Sequence, residues 1–191
     1  MKVQDKRSEI MQAALQLLTE KGFDRVPMPM IADRAHVAVG TIYIYFTSKD
    51  ALITELFSDL EKDIWQTMQK SRTADGSIRN NFLNLTRTMV KYLTANPLHF
   101  RYMEQYFNSP FGISLRRDMI FGKLDRPDIF LNTFKEGISQ NILKDLPLGV
   151  LFSLSIAPLV FLLRDHVLGF IELDDALIGK VTEACWDAIK K

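Results

Sequence analysis

The sequence predicts an all-α protein with a short N-terminal domain that contains a helix-turn-helix, residues 1–50, and a larger C-terminal helical domain, residues 51–191. Three observations support this fold class. Apolar residues recur at intervals of three and four along most of the chain, which is the spacing of one helix face. Glycine or proline separates these segments, as at Gly22, Pro27–Pro29 and Asn96-Pro97. We find no convincing strand and no internal repeat.

The composition is that of an ordinary globular protein. Of 191 residues, 47% are hydrophobic and 25% are charged, and 24 basic residues face 23 acidic ones. The net charge is +1, so any attraction to nucleic acid must be local. Cys185 is the single cysteine, which excludes an intrachain disulfide, and Met1 to Leu18 contains no apolar signal region. We therefore expect a cytoplasmic protein.

The first fifty residues predict three helices and the start of a fourth. A first helix runs from Asp5, which can cap it, to about Lys21. Pro29 suits the first position of a second helix that ends at Ala35. His36–Ala38 is then a turn, and Val39–Phe46 is a third helix. Two short helices separated by about three residues form a helix-turn-helix.

The residues of this segment resemble the DNA-binding head of the TetR/AcrR family of bacterial transcriptional regulators. The matching residues are Ile31, Ala32, Ala35, Val37, Gly40, Thr41, Ile42, Tyr43, Tyr45, Phe46, Ser48, Lys49 and Leu52. The detailed resemblance covers about residues 8–53. It implies a DNA-binding head on a helical domain that binds a small effector and dimerises.

Three residues depart from the family pattern. His36 replaces the usual turn glycine, and histidine is one of the residues that tolerate a positive φ. Ala38 stands where a serine usually caps the third helix. Met28 stands where a threonine or serine usually caps the second helix and contacts phosphate. The last two changes remove hydroxyl groups that could bind the DNA backbone.

The third helix is expected to expose an unusual face. If Ile42 and Phe46 point toward the core at i and i+4, then Gly40 and Ile44 lie on the opposite side. A helix of this size fits the major groove, where each base pair has a distinct pattern. Gly40 lets the backbone approach DNA closely, Ile44 suits thymine methyl groups, and Lys49 can reach a phosphate.

A basic cluster of Lys2, Lys6 and Arg7 precedes this region. Two interpretations stay open: the cluster is solvated, or it contacts phosphates. The residues predicted to bind DNA are Lys6, Met28, Val39, Gly40, Thr41, Tyr43, Ile44, Tyr45 and Lys49.

The rest of the chain predicts further helices. Their expected ranges are Lys49 to Lys70, Ile78 to Asn96, Leu98 to Phe107, Ile129 to Ser139, Leu148 to Gly169 with a kink at Pro158, and Asp174 to Lys190. Asn108–Gly112 is expected to be a turn. Leu146 to Leu163 has no charged residue, and we interpret it as a helix buried in the protein interior and not in a membrane.

The resemblance implies a ligand pocket in the helical domain and a homodimer. Thirteen phenylalanines and eight methionines suggest an apolar effector. The candidate lining residues are Trp65, Phe82, Met89, Tyr92, His99, Met103 and Phe107. The last two helices are more apolar than one small domain can cover, and the resemblance implies a four-helix dimer bundle.

No catalytic or metal site is predicted. The three histidines are far apart in the sequence, Cys185 has no nearby partner, and no zinc, redox or phosphate-binding motif is present. We therefore expect no cofactor, no metal and no enzyme activity. The predicted function is a ligand-responsive regulator, a repressor that binds a near-palindromic double-stranded operator. The alternatives are a helical binding module that has lost DNA binding, or a small all-α enzyme.

Overall fold

The computed structural model describes residues 3–72, 76–121 and 128–191. In these residues the backbone forms eleven α-helices and one isolated β-bridge, between Leu143 and Lys190. The helices are α1 (Val3–Lys21), α2 (Met28–Arg34), α3 (Val39–Tyr45), α4 (Lys49–Lys70), α5 (Ile78–Ala95), α6 (Pro97–Phe107), α7 (Pro110–Ile120), α8 (Ile129–Ser139), α9 (Leu148–Ser155), α10 (Ala157–Val167) and α11 (Asp175–Ile189). The all-α prediction is confirmed.

The chain forms two compact units. The head unit comprises Met1–Asp63 and Leu98–Phe111, and the body unit comprises Ile64–Pro97 and Gly112–Lys191. These units are defined by packing, and the division at residue 50 that the sequence suggested between DNA binding and effector binding stays a prediction. Most of α4 and α6 belongs with the helix-turn-helix because these helices share its core.

Two contacts hold α6 in the head unit. The fully buried Tyr102 donates its hydroxyl to the carbonyl oxygen of Ile53 at 2.8 Å. The ring of Tyr106 stacks on Phe57 of α4, with centroids 3.9 Å apart. These contacts join residues about fifty positions apart, so helical spacing alone does not reveal them.

The ends of the first helices differ slightly from the prediction. Helix α1 begins at Val3, so Asp5 lies inside the helix and is not its N-cap. Gly22 follows α1 with a φ of +85°, the left-handed conformation that commonly ends helices. Pro27 is the N-cap of α2, which therefore starts at Met28, one residue before Pro29.

The body unit packs around α5. This helix contacts α8, α10 and α11, and α11 also packs on α9. The ring of Phe82 on α5 lies 5.6 Å from Trp186 and 6.4 Å from Phe134, measured between centroids. Asp128 and Asp174 cap α8 and α11 by accepting backbone N–H bonds, as expected for acidic N-caps.

One predicted element was wrong, and a second was right about an interruption near Pro158 but not about its extent. Helix α7 begins inside the predicted turn Asn108–Gly112, because Pro110 takes the first position of a helix rather than breaking the chain. The predicted helix Leu148 to Gly169 is two helices, α9 and α10, that meet at Ile156. The break precedes Pro158, which lacks an N–H donor and clashes with the turn before it.

The apolar segment that contains α9 and α10 is only partly buried in the single chain. By length and composition alone, Leu148–Val167 is apolar enough to cross a membrane, with a mean hydropathy of 1.8. Only 28% of this stretch is buried inside the chain. Val150, Leu154 and Phe161 are exposed. Within the single chain this segment leaves an apolar surface uncovered, as expected of helices that are more apolar than one small domain can cover.

Candidate nucleic-acid interface

The turn between α2 and α3 is tight and contains one strained residue. His36 has a φ of +54°, in the left-handed region that favours glycine. The backbone N–H of Val37 donates to the Ala32 carbonyl at 3.0 Å and thereby closes the turn. The expectation that histidine replaces the turn glycine by adopting a positive φ is confirmed.

Helix α3 starts without a side-chain cap. Its N-cap, Ala38, has the extended backbone that an N-cap requires (φ −67°, ψ 145°) but no side chain that can accept a hydrogen bond. The N–H of Thr41 is satisfied by the Ala38 carbonyl at 2.9 Å. A serine at this position would add the missing hydrogen bond. The first turn of α3 is therefore less stable than it would be with a serine cap.

One face of α3 is open to solvent. Ile42 is fully buried, whereas the exposed fractions of Val39, Tyr43 and Ile44 are 37%, 52% and 79%. No other atom lies within 4 Å of the place where a Cβ would stand on Gly40. The predicted reading face is thus free within its own chain, and it is apolar at its centre.

The flanks of this face are partly covered. Thr41, Tyr45 and Lys49 are each half-buried. The ring of Tyr45 lies beside that of Phe46, with centroids 6.4 Å apart. Ser48 accepts the N–H of Ala51 at 3.0 Å, so its hydroxyl caps α4 as the sequence predicted.

Two other predicted DNA contacts have different surroundings. The Met28 side chain is only 5% exposed and packs in the core of the head, so it is not available to DNA. Lys6 is half-buried and pairs with Glu9 at 3.0 Å along α1. Lys2 lies outside the described residues.

Arg7 has a role that neither interpretation of the basic cluster anticipated. Its guanidinium donates to Asp59 at 2.9 Å and to Glu55 at 3.1 Å, both on α4, and lies 5.5 Å from the centroid of the Phe46 ring. The hydrogen bond to Asp59 raises the pKa of Arg7 above its ordinary value, although partial burial opposes the shift. The side chain is therefore neither simply solvated nor directed at phosphate. Sequence reasoning missed it because its carboxylate partners lie 48 and 52 residues away.

A cleft of about 780 Å³ opens in the head unit. Residues of α1, α4 and α6 line it, with apolar side chains that include Met11 and Leu60 and polar side chains that include Asp59 and His99. Burial lowers the pKa of His99, and the charge of Asp63 opposes this shift. Of the predicted pocket residues, His99 lines this cleft.

The predicted pocket residues, His99 included, are divided between the two compact units. Trp65, Phe82, Met89 and Tyr92 belong to the body unit, whereas His99, Met103 and Phe107 belong to the head unit. Phe107 contacts the edge of Phe57, with centroids 5.4 Å apart. Phe82 is fully buried in the aromatic core described above. The set of lining residues stays a prediction.

Two observations concern metal binding and the single thiol. In residues 3–72, 76–121 and 128–191, no group of three or more His, Cys, Asp or Glu side chains could hold a metal ion. Burial raises the pKa of the Cys185 thiol to about 11, which disfavours the reactive thiolate at neutral pH.

Comparison with known proteins agrees with the geometry of both units. Residues 10–56 match the family "Bacterial regulatory proteins, tetR family", and residues 78–190 match "Tetracyclin repressor-like, C-terminal domain". An uncharacterized HTH-type transcriptional regulator of Haemophilus influenzae is 25% identical over 187 residues, which cover 98% of this chain and 97% of that protein.

Two further relatives extend the comparison. A solved structure of a TetR-family transcriptional regulator from Vibrio parahaemolyticus is 30% identical, with a TM-score of 0.73, and covers 97% of this chain and 99% of its own. The HTH-type transcriptional repressor KstR of Mycolicibacterium smegmatis is 28% identical over 103 residues, 54% of this chain and 50% of that protein. With both its head and its helical domain matched, the chain belongs to the TetR family of bacterial regulatory proteins and is a ligand-responsive, DNA-binding transcription regulator.

Proposed function

We propose that the protein is a cytoplasmic repressor that binds a near-palindromic operator as a homodimer and leaves it when a small apolar effector binds. The observation that carries this proposal is the open face of α3, where Ile44 is the most exposed large apolar side chain of the described residues. Ile44 lies on one short helix with the exposed Val39 and Tyr43, and a contiguous exposed apolar patch marks an interaction surface. Because α3 has the size and position of a recognition helix, that surface is the major groove of DNA.

Each residue of the face has a specific role in this proposal. Gly40 allows the α3 backbone to approach the groove, and Ile44 with Val39 contacts thymine methyl groups. Tyr43 donates to a base edge, and Lys49 donates to a phosphate at the rim of the groove. In this arrangement residues 1–50 recognise DNA, and residues 51–191 bind the effector and the partner subunit.

The uncovered apolar surface of the last helices supports the homodimer. Val150 and Leu154 on α9, Phe161 on α10, and Leu168 and Phe170 just after it are all exposed in the single chain. A second copy related by a two-fold axis would cover the same residues on both subunits in a four-helix bundle. Two copies of α3 would then enter successive major grooves about 34 Å apart, which requires a near-palindromic site.

Repression is proposed from a relative, and the apolar effector is proposed from the composition of the chain. The relative KstR is named a transcriptional repressor. Thirteen phenylalanines and eight methionines give the chain many side chains that could line an apolar pocket, with Trp65, Phe82, Met89, Tyr92, His99, Met103 and Phe107 as candidates. Two conformations are involved, one whose heads fit the operator and one whose heads are wrongly placed for it. An effector releases the operator only if it binds the second conformation more tightly than the first.

The proposal is tested by two substitutions that separate sequence reading from phosphate attraction. Fragments of bacterial genomic DNA that the protein retains provide the selected duplex, and a scrambled duplex of the same length is the reference. Tyr43→Ala is expected to weaken binding to the selected duplex more than to the scrambled one. Lys49→Ala is expected to weaken both equally and, with one phosphate lost per subunit, to flatten the slope of log K against log[salt] by about 1.8.

The results that contradict the proposal are equally specific. Equal losses on both duplexes for Tyr43→Ala would remove this residue from sequence reading. A wild-type protein that does not prefer the selected duplex would contradict operator recognition as a whole. Light scattering tests the homodimer, and a monomer at micromolar concentration would contradict it.

A further inference from the structure

Helix α3 cannot fix its own orientation. It has seven residues, fewer than an isolated helix needs for stability in water. Ile42 is its one fully buried side chain, and its N-cap, Ala38, makes no side-chain hydrogen bond. The direction in which its open face points therefore depends on contacts that other elements make with the opposite end of the helix.

That opposite end is Phe46, the C-cap residue of α3. Its side chain is fully buried, and its N–H donates to the Ile42 carbonyl at 2.9 Å, so the ring and the last turn of the helix move together. The Arg7 guanidinium of α1 lies 5.5 Å from the ring centroid, within the range of a cation–π contact. Arg7 therefore contacts the recognition helix from the side that faces away from DNA.

The same guanidinium is fixed by α4. One terminal nitrogen donates to Asp59 at 2.9 Å and the other to Glu55 at 3.1 Å. A planar guanidinium can bind two carboxylates and an aromatic face at once, which a lysine ammonium cannot do in the same way. Arg7 thus joins α1, the end of α3 and the first turns of α4 through a single side chain.

We propose that Arg7 is a positioning residue for DNA recognition: it holds α3 in the orientation that reads the operator, and it does not itself contact DNA. The inference rests on the proposed function, since the orientation matters only if α3 reads DNA. It differs from the interpretation of Arg7 as a phosphate contact, because both terminal nitrogens of its guanidinium already pair with carboxylates, those of Asp59 and Glu55.

The test uses three variants of the full chain and one control. Arg7→Met removes the charge and keeps an apolar stem, and Arg7→Lys keeps the charge but loses the planar fork. Glu55→Ala combined with Asp59→Ala leaves Arg7 in place, removes the oxygens that accept from it and makes the head more positive by two charges. Arg79→Met is the matched control, because Arg79 of α5 also pairs with a carboxylate, that of Glu183, in the body unit.

We expect the preference for the selected over the scrambled duplex to fall about tenfold for Arg7→Met, the size of the effect of one good base-pair contact. The slope of log K against log[salt] should stay at the wild-type value. The double carboxylate variant should lose preference as well, although simple charge attraction predicts tighter binding to both duplexes. Arg7→Lys should lie between wild type and Arg7→Met, and Arg79→Met should keep the wild-type preference.

Three outcomes would overturn the inference. If Arg7→Met weakens both duplexes equally and flattens the salt dependence, Arg7 is a phosphate contact. If the double variant binds both duplexes more tightly with an unchanged preference, the carboxylates do not position α3. If the wild-type protein shows no preference, the proposed function fails and this inference fails with it. Should Arg7→Met not fold, as judged by thermal melting, Arg7→Lys and the double variant decide the question.

Discussion

Gly40 offers a prediction in which stability and function change in opposite directions. It is the second residue of α3, its backbone is helical, and a Cβ added there would meet no atom of the chain within 4 Å. Alanine is favoured over glycine by about 1 kcal/mol in a helix interior, and we expect about 0.5 kcal/mol at this terminal position. For a chain of this length that gain raises the melting temperature by about 1–2 °C.

The same methyl group should impair DNA binding. If the α3 backbone lies against the groove at Gly40, the added Cβ overpacks the contact at a cost of about 1 kcal/mol for each subunit. The homodimer would then lose about 2 kcal/mol, a roughly 30-fold rise in Kd for the selected duplex. Thermal melting and fluorescence anisotropy on the same preparation measure the two effects.

Gly179→Ala is the matched control for Gly40→Ala. Gly179 is also a helical glycine with no atom within 4 Å of the added Cβ. It shares a face of α11 with Glu183, which pairs with Arg79 and Arg87 of α5, so this face meets its own chain. Gly179→Ala should stabilise without weakening DNA binding. Unchanged binding by Gly40→Ala would refute the close approach of α3 to DNA, and a lowered melting temperature would refute the helical geometry assigned to Gly40.

Three further predictions concern the interior. In Gly137→Ala the added Cβ would lie 2.6 Å from Cγ and Cδ1 of Leu143. This overpacking exceeds the gain in helix propensity, so the variant should be about 1 kcal/mol less stable. A raised urea midpoint would contradict this expectation. Tyr102→Phe removes the buried hydrogen bond to Ile53 and should cost about 1 kcal/mol in urea unfolding; an unchanged midpoint would mean that this bond contributes no net stability. Burial raises the pKa of Cys185 from 9.0 to about 11. At pH 8 iodoacetamide should therefore alkylate it roughly a hundredfold more slowly than in the unfolded protein, and the rate should rise with pH. Rapid labelling of the folded chain at pH 8 would contradict the burial of this thiol.

The spacing of residues in the sequence was sufficient to predict those features that depend only on neighbouring residues. The turn at His36 and the uncapped start at Ala38 were both predicted, since each depends on a few adjacent backbone angles. Helices α4 and α8 end where the apolar spacing and the breaks placed them. Pro110 shows the limit of such signals, because a proline after Asn-Ser fits a turn and the first position of a helix equally well.

Contacts between distant residues could not be predicted from the sequence. Nothing local distinguishes Arg7 from Lys6, yet the first binds two carboxylates of α4 and the second pairs within its own helix. The sequence indicated an apolar run that one small domain cannot cover, but it did not identify Phe161 as an exposed residue, because composition does not show which surface covers each side chain. Met28 illustrates the opposite case: a position assigned by resemblance to phosphate contact carries a side chain that the core of the head buries.

The most direct test of the central claim, that the open face of α3 reads base sequence, is the preference of two isoleucine variants for the selected duplex. Ile44 of α3 and Ile113 of α7 are both highly exposed, at 79% and 62%. Losing one apolar base contact in each subunit should lower the preference of Ile44→Ala for the selected over the scrambled duplex at least about tenfold. Ile113→Ala should bind like wild type. A preference that Ile44→Ala retains in full would contradict the account.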